Sequence, residues 1–432
     1  MSELKKKADF LESVLAAKSV EKYDFSVRES VKQELNTEGA DFKLMRTVFG
    51  GGASVTVYQD GRKGSASGND TSEEGLAALV ESAVAAAESA PQDPAHDIAP
   101  DQGKHEFRQG ALEADLDRFF ERLEELQQDI AAQYPKVQVM QLAGDHVQNR
   151  TIYCNSNGTC AGSESGCYDL SVEFSAGDGE KNTGLDYAFL QTADLEKPFI
   201  EGGDLRRKFD AIQRQIDPSS FSGKFEGTAV FTPGCLLDFV GMLLDNYTGS
   251  GVVLDGTSQW LDKVGEKVAD ERITIGFDPF DPRIVCGERL TGSGYLSEPV
   301  NVIENGVLKA HMLSLYAANK TGRPVLKNSG SDLIMKPGQQ SLEEILSGIE
   351  KGLLIGGFSG GHPGANGEFS GVAKNSFLIE HGRVTRAVTE TMINGNLGKM
   401  LQHVRGVSSE TDDPGVYSLP YLAVDGIVIS GK

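Results

Sequence analysis

The residues able to carry acid–base, nucleophilic or metal chemistry are thinly spread along this chain. Its seven histidines are His96, His105, His146, His311, His362, His381 and His403. None stands four residues from another and no H-E-x-x-H occurs, so the usual helix-borne zinc site is not encoded. A site made of His311, His362 and His403 would have to be assembled by the fold. Five cysteines, an odd number, are spread through the sequence. Cys154, Cys160 and Cys167 lie six and seven residues apart, without the C-x-x-C pairing of a zinc knuckle. They are expected as ordinary thiols near strands, in a reducing cytoplasm, and not as a disulfide framework. No Gly-x-Ser-x-Gly elbow is present, and no Cys/His pair has local support as a nucleophile and base.

Two segments stand out. Cys235 to Asp245 reads as a helix apolar on nearly every face, which predicts burial. Asp238 is its one interior-looking carboxylate, with a structural role commoner there than a catalytic one. Gly356-Gly-Phe-Ser-Gly-Gly-His-Pro-Gly-Ala-Asn-Gly367 is rich in glycine but lacks the Gly-Lys-Ser/Thr ending of a phosphate loop. A mobile, backbone-rich loop beside a β-domain suits an extended peptide. Gly356, Gly357, Phe358, Ser359, Gly360, Gly361 and His362 are therefore the candidate peptide contacts.

The elements that must position these residues follow from periodicity. Residues 3–17 form one amphipathic helix, and a capping box at Thr71-Ser-Glu-Glu74 opens another. A third is predicted over 111–134 after a Pro/Asp-rich connector, and a fourth over 204–216. Ser54–Tyr58 running into Asp60-Gly61 signals a hairpin, and alternation at Leu170, Val172, Phe174 and Ala176 signals a strand. Asp217-Pro218-Ser219-Ser220 is the expected boundary between domains 1–219 and 220–432. Beyond it, hairpins are expected at Asn305-Gly306, His381-Gly382 and Asp425-Gly426. Helices are expected after Thr232-Pro233 and at the capping box Ser341-Leu-Glu-Glu344. The fold class is α+β: a mixed first domain and a β-rich second one.

The chain has 432 residues, 41 Lys+Arg against 63 Asp+Glu, a net charge of −22 and 39% hydrophobic residues. Such a composition is that of a folded protein with a sizeable core. Its acid excess disfavours binding to a phosphate backbone. No stretch approaches the ~20 apolar residues of a spanning helix, and the first residues lack the apolar core of a signal peptide. A cytoplasmic location, with neither membrane nor direct nucleic-acid contact, is the expectation.

Several segments together resemble the TldD/PmbA family, described as modulators of DNA gyrase. They are Pro299-Val-Asn-Val-Ile-Glu-Asn-Gly-Val-Leu-Lys309, Ile355-Gly-Gly-Phe-Ser-Gly-Gly361, Ser376-Phe-Leu-Ile-Glu-His-Gly-Arg-Val-Thr385 and Asn394-Gly-Asn-Leu-Gly398. Val55-Thr-Val-Tyr-Gln-Asp-Gly-Arg-Lys-Gly64 and the helix from Thr71 fit as well. The resemblance implies a two-domain α+β dimer that handles peptides. In the family's catalytic branch a helix carries H-E-x-x-x-H. Its histidines and a Cys near the C-terminus hold zinc, and its Glu is the base. Here that place reads Leu237-Asp238-Phe239-Val240-Gly241-Met242, and Ser408 to Pro420 contains no Cys. The resemblance is thus to the PmbA/TldE branch, which lacks the zinc motif. It implies a non-catalytic subunit with no catalytic residues and no metal or cofactor of its own. Zinc would belong to a TldD-like catalytic partner, or the chain would pair with itself. The alternatives are a stand-alone hydrolase using His311, His362, His403 or Asp238, and a non-enzymatic gyrase adaptor.

Overall fold

The computed structural model describes residues 1–18, 20–39 and 41–432. The first half opens with α1 (Ser2–Ala17), which buries Leu4, Ala8, Leu11 and Leu15 along one stripe. There follow β1 (Lys22–Glu38), β2 (Asp41–Gln59), β3 (Arg62–Gly68), α2 (Glu73–Ser89) and β4 (Lys104–Gly110). Next come α3 (Leu116–Gln133), β5 (Val137–Asn155), β6 (Cys160–Ala176), β7 (Asp186–Thr192) and α4 (Leu205–Arg214). The strands make one sheet in the order β3-β2-β1-β5-β6-β4, with β7 also on β6. β1, β2, β5 and β6 have 17 to 19 residues, or about 60 Å at the rise of an extended chain. That length carries two separate helical layers. α1 and α2 cover one end around Phe25, Val55 and Ile152, while α3 and α4 cover the other around Leu170, Val172 and Phe174.

The second half begins with β8 (Lys224–Phe231), α5 (Pro233–Thr248), α6 (Ser250–Leu254), β9 (Ile275–Phe277), β10 (Val300–Glu304) and β11 (Val307–Leu308). It continues through α7 (Leu315–Thr321), β12 (Leu333–Met335), α8 (Leu342–Ser347), β13 (Lys351–Ile355), β14 (Gly357–Gly360) and β15 (Glu368–Lys374). Then come β16 (Ser376–Glu380), β17 (Arg383–Val388), β18 (Met392–Asn396), α9 (Leu397–Met400), β19 (Val404–Asp412) and β20 (Tyr417–Ser430). Its strands form a second sheet, β11-β10-β9-β12-β20-β8-β13-β16-β17, with β19 on β20 and a branch β14-β15-β18 also joined to β20. The fold is α+β with a β-rich second half, as the periodicity predicts. The segment 217–220 lies between α4 and β8, where Ser219 already bridges Val388.

Several local expectations are corrected. The cap of α2 is Ser72, not Thr71: its hydroxyl accepts from the Gly75 N–H. The helix expected over 111–134 starts at Leu116, because the Asp115 side chain caps it by accepting from Arg118 N–H. Residues 111–115 are instead an irregular link from β4, which pairs parallel to β6. Asp425-Gly426 is not a hairpin. β20 continues through it with a bulge, Gly426 taking φ +81° where the register against β8 shifts. The hairpins at Asp60-Gly61, Asn305-Gly306 and His381-Gly382 do form, with positive φ at both turn residues, as such two-residue turns require. Cys154 and Cys160 are not separate thiols. They face each other at the closed end of the β5–β6 hairpin, with Cα atoms 4.1 Å apart, and are joined as a disulfide. Among the described residues no helix is long and apolar enough to cross a membrane.

In the first sheet, Asp24 on β1 accepts a hydrogen bond from Tyr58 Oη at 3.2 Å. Burial raises its carboxyl from 3.8 to about 6, against the pull of Tyr58 and Lys63. The folded chain therefore holds a proton there that the unfolded chain has released, so stability falls as pH rises from about 4 to about 6. Asp24→Asn keeps an acceptor for Tyr58 and is expected to flatten that slope. Above pH 6 it gains up to about 3 kcal/mol, read from urea unfolding at a series of pH values.

Candidate functional site

The helix singled out by its sequence, α5, starts where β8 ends. Thr232 caps it, its hydroxyl accepting from Cys235 N–H, and Pro233 occupies the first turn. Cys235, Leu236, Phe239, Val240, Leu243, Leu244 and Tyr247 point into the core of the second sheet. The helix is not buried all round, however. Asp238, Gly241 and Asp245 are exposed and Leu237 and Met242 half-buried, so a stripe at three- and four-residue spacing remains open. Asp238 is an open-face residue, which corrects its reading as interior. Apolar identity at 237 and 242 disguised this face in the sequence.

Beside this stripe runs the glycine-rich segment. Gly357–Gly360 is no loop but the short strand β14, paired antiparallel with β15 along one side only. Its Phe358 ring packs 5.0 Å from Phe239 and 5.9 Å from Phe369. Phe239 also meets Phe231 at 4.5 Å and Phe369 at 5.0 Å. A Cβ at Gly360 or at Gly371 would stand 2.5 Å from the Phe358 ring. The glycines here make room for an aromatic lid on the core, which a phosphate-cradling reading would not require. Gly361 and His362 continue beyond the strand, exposed. Gly356 at its head lines a cavity of about 460 Å³ with Thr232, Asn375 and Phe377, walled on the other side by Arg206, Arg207, Lys208 and Arg214 of α4.

The segment 408–420 approaches the same helix. Although Asp238 stands on the open face, the protein atoms packed around its carboxyl hold it above its ordinary range, which Lys208 opposes. Asp238 in turn contributes to raising the Tyr417 phenol, whose main cause is burial. Arg207 ties this corner together, with Nη2 3.1 Å from Asp204 Oδ2 and in contact with Asp412 across the two halves. The fold thus brings residues 237, 238 and 242 and the 408–420 segment to one place. The donor set found there does not fit zinc. Leu237 offers no lone pair, the Met242 thioether suits soft cations, Asp238 alone of these three has a hard donor, and Asp412 is taken by Arg207.

The histidines are placed elsewhere. His311 is buried with Nε2 3.1 Å from the Trp260 carbonyl, and His362 is exposed. His403 lines a separate groove of about 690 Å³ with Glu226, Glu368 and Asp425. Among the described residues no group of three or more His, Cys, Asp or Glu is arranged to hold a metal ion. The site's unforeseen members are Arg207, Lys208 and Asp412. The helical period of α4 marked its apolar face and gave no sign of where its cations would point.

The chain thus joins two helix-covered sheets, with an edge strand beside an open helix face. Residues 223–431 match the PmbA/TldA metallopeptidase C-terminal domain, and residues 23–87 match PmbA/TldA metallopeptidase domain 1. The chain belongs to the PmbA/TldD family. It is 24% identical over 400 residues to the Metalloprotease PmbA homolog of Haemophilus influenzae, covering 88% of this chain and 86% of that one. It is 25% identical over 382 residues to Metalloprotease PmbA of Escherichia coli O157:H7, covering 84% and 82%. The crystal structure of TldE from Thermococcus kodakarensis superposes with a TM-score of 0.85 at 23% identity, over 98% of this chain and 100% of that one. That likeness is one of fold.

Proposed function

We propose that this chain is the non-catalytic, TldE-like member of a heteromeric zinc metallopeptidase, built of units 1–219 and 220–432. A TldD-like partner supplies the zinc and the general base, and this subunit helps to hold extended or unfolded peptides in the cytoplasm. The observation that carries the reading is the pair Leu237 and Met242. They stand on an open helix face, at the positions to which the family resemblance would carry the catalytic branch's histidines, and neither side chain is a ligand that zinc takes. Support for peptide handling comes from β14, whose unpaired edge can accept a further strand through main-chain hydrogen bonds. An extended peptide added there runs over Asp238, Gly241 and Met242, with Gly356 to His362 as its contacts.

Gly241 offers a direct test, since a Cβ built on it meets nothing within 4 Å. Gly241→Trp fills the groove without crowding the core, and replacing a helical glycine does not weaken the helix. It is expected to lower the affinity for a fluorescent unfolded peptide at least about tenfold, with the thermal midpoint unchanged. Unchanged affinity would place peptide binding elsewhere.

A further inference from the structure

The seam between the two halves contains a pair of thiols that the reading above does not use. Cys167 comes from β6 of the first sheet and is buried, while Cys286 comes from the long segment between β9 and β10 and is half-buried. The two thiols lie close enough to shift each other's ionisation in opposite directions. The Cys286 sulfur also lies 3.6 Å from the Gly166 carbonyl. That approach is possible because Gly110 carries no side chain: a Cβ there would stand 3.0 Å from the Cys286 sulfur. Gln109 Nε2 donates to the Gly287 carbonyl at 2.9 Å and pins the same stretch to β4. On the other side, the Cys167 sulfur is 3.9 Å from Asp169 Oδ1.

We infer that Cys167 and Cys286 form a thiol-oxidation site that takes low-molecular-weight disulfides and, once oxidised, latches the two halves together. The two thiols have unequal parts. Cys286 is the more accessible, and its proton is held less tightly because the neighbouring Cys167 and, more weakly, Arg289 favour its thiolate. The neighbouring Cys286 and then burial make Cys167 the harder to ionise. Cys286 therefore attacks first, as a thiolate whose proton has gone to solvent. With glutathione disulfide as oxidant, a Cys286–glutathione bond forms, the glutathione S–S bond breaks and one glutathione thiol leaves. Cys167 then attacks the Cys286 sulfur, passing its proton towards Asp169, and the second glutathione thiol leaves. Two protein thiols are oxidised and one glutathione disulfide is reduced.

The test is to treat the purified full chain with glutathione disulfide and map the products by mass spectrometry. Of the three free cysteines, Cys167, Cys235 and Cys286, only the first and last should be lost, as a 167–286 linked peptide. Cys167→Ser should stop at glutathione on Cys286. Cys286→Ser should leave Cys167 reduced, with overall thiol loss at least about tenfold slower. Amide exchange of β4 and of residues 278–290 should slow in the oxidised chain. A wild-type product that ends as the mixed disulfide on Cys286, or thiol loss undiminished in Cys286→Ser, would overturn the inference. Neither outcome bears on zinc or peptide binding.

Discussion

Replacing Phe239 with alanine is expected to destabilise the protein by about 3–5 kcal/mol, the largest effect of any single truncation near the site. Phe239 is 1% exposed and sits where the rings of Phe231, Phe358 and Phe369 converge. Removing it deletes the transfer free energy of the ring and leaves a cavity walled by rigid aromatics that cannot collapse well. The loss should spread in one direction. Phe358 rests on Phe239, so β14 should loosen and the amide exchange of residues 357–360 should accelerate. The first sheet, which has its own core around Leu170 and Phe174, should keep its protection. Urea unfolding and hydrogen exchange on the same variant read both parts. Phe239→Leu, which fills most of the space, should lose less than half as much.

Arg207→Leu is expected to cost about 3 kcal/mol, the lower end for breaking a buried ion pair, because the side chain remains 29% exposed. The guanidinium serves Asp204 on its own helix and Asp412 at the end of β19, and stands 5.6 Å over the Tyr421 ring. Without it Asp412 keeps a buried carboxylate and loses its cation, whereas Asp204 retains Lys208 at 3.5 Å. The double variant Arg207→Leu with Asp412→Leu should regain most of the loss, since an apolar pair replaces an ion pair at little cost. A double variant as unstable as the single one would show that Arg207 acts through packing alone.

Much of this architecture can be read from residue order. The helices of the first half show their apolar stripes, and the turns at Asp60-Gly61, Asn305-Gly306 and His381-Gly382 show their chemistry. What escapes is decided at long range. Asp425-Gly426 carries the same local signal as those turns but forms a bulge, because β20 is paired along its length with β8, β12, β18 and β19 and cannot reverse. Cys154 and Cys160 meet because a tight hairpin sets them opposite, a matter of register that counting cysteines does not show. α5 reads as buried because Leu237, Gly241 and Met242 are apolar or small, while exposure depends on whether a neighbour covers that face. β14 reads as loop because strand propensity disfavours glycine, yet here glycines seat the Phe358 ring. The site was legible as a departure from a motif, and its charged wall from α4 was not.

A subunit that leaves zinc to its partner must show that in its own metal content. This is tested most directly by metal analysis of the purified chain, alone and after co-expression with a TldD-like protein, alongside peptidase assays with and without a chelator. Substoichiometric zinc and no peptidase activity are expected for the chain alone. In the co-purified assembly about one zinc per pair of subunits and chelator-sensitive activity are expected. One zinc bound per isolated chain, with peptide hydrolysis abolished by chelation, would contradict the assignment of zinc to the partner.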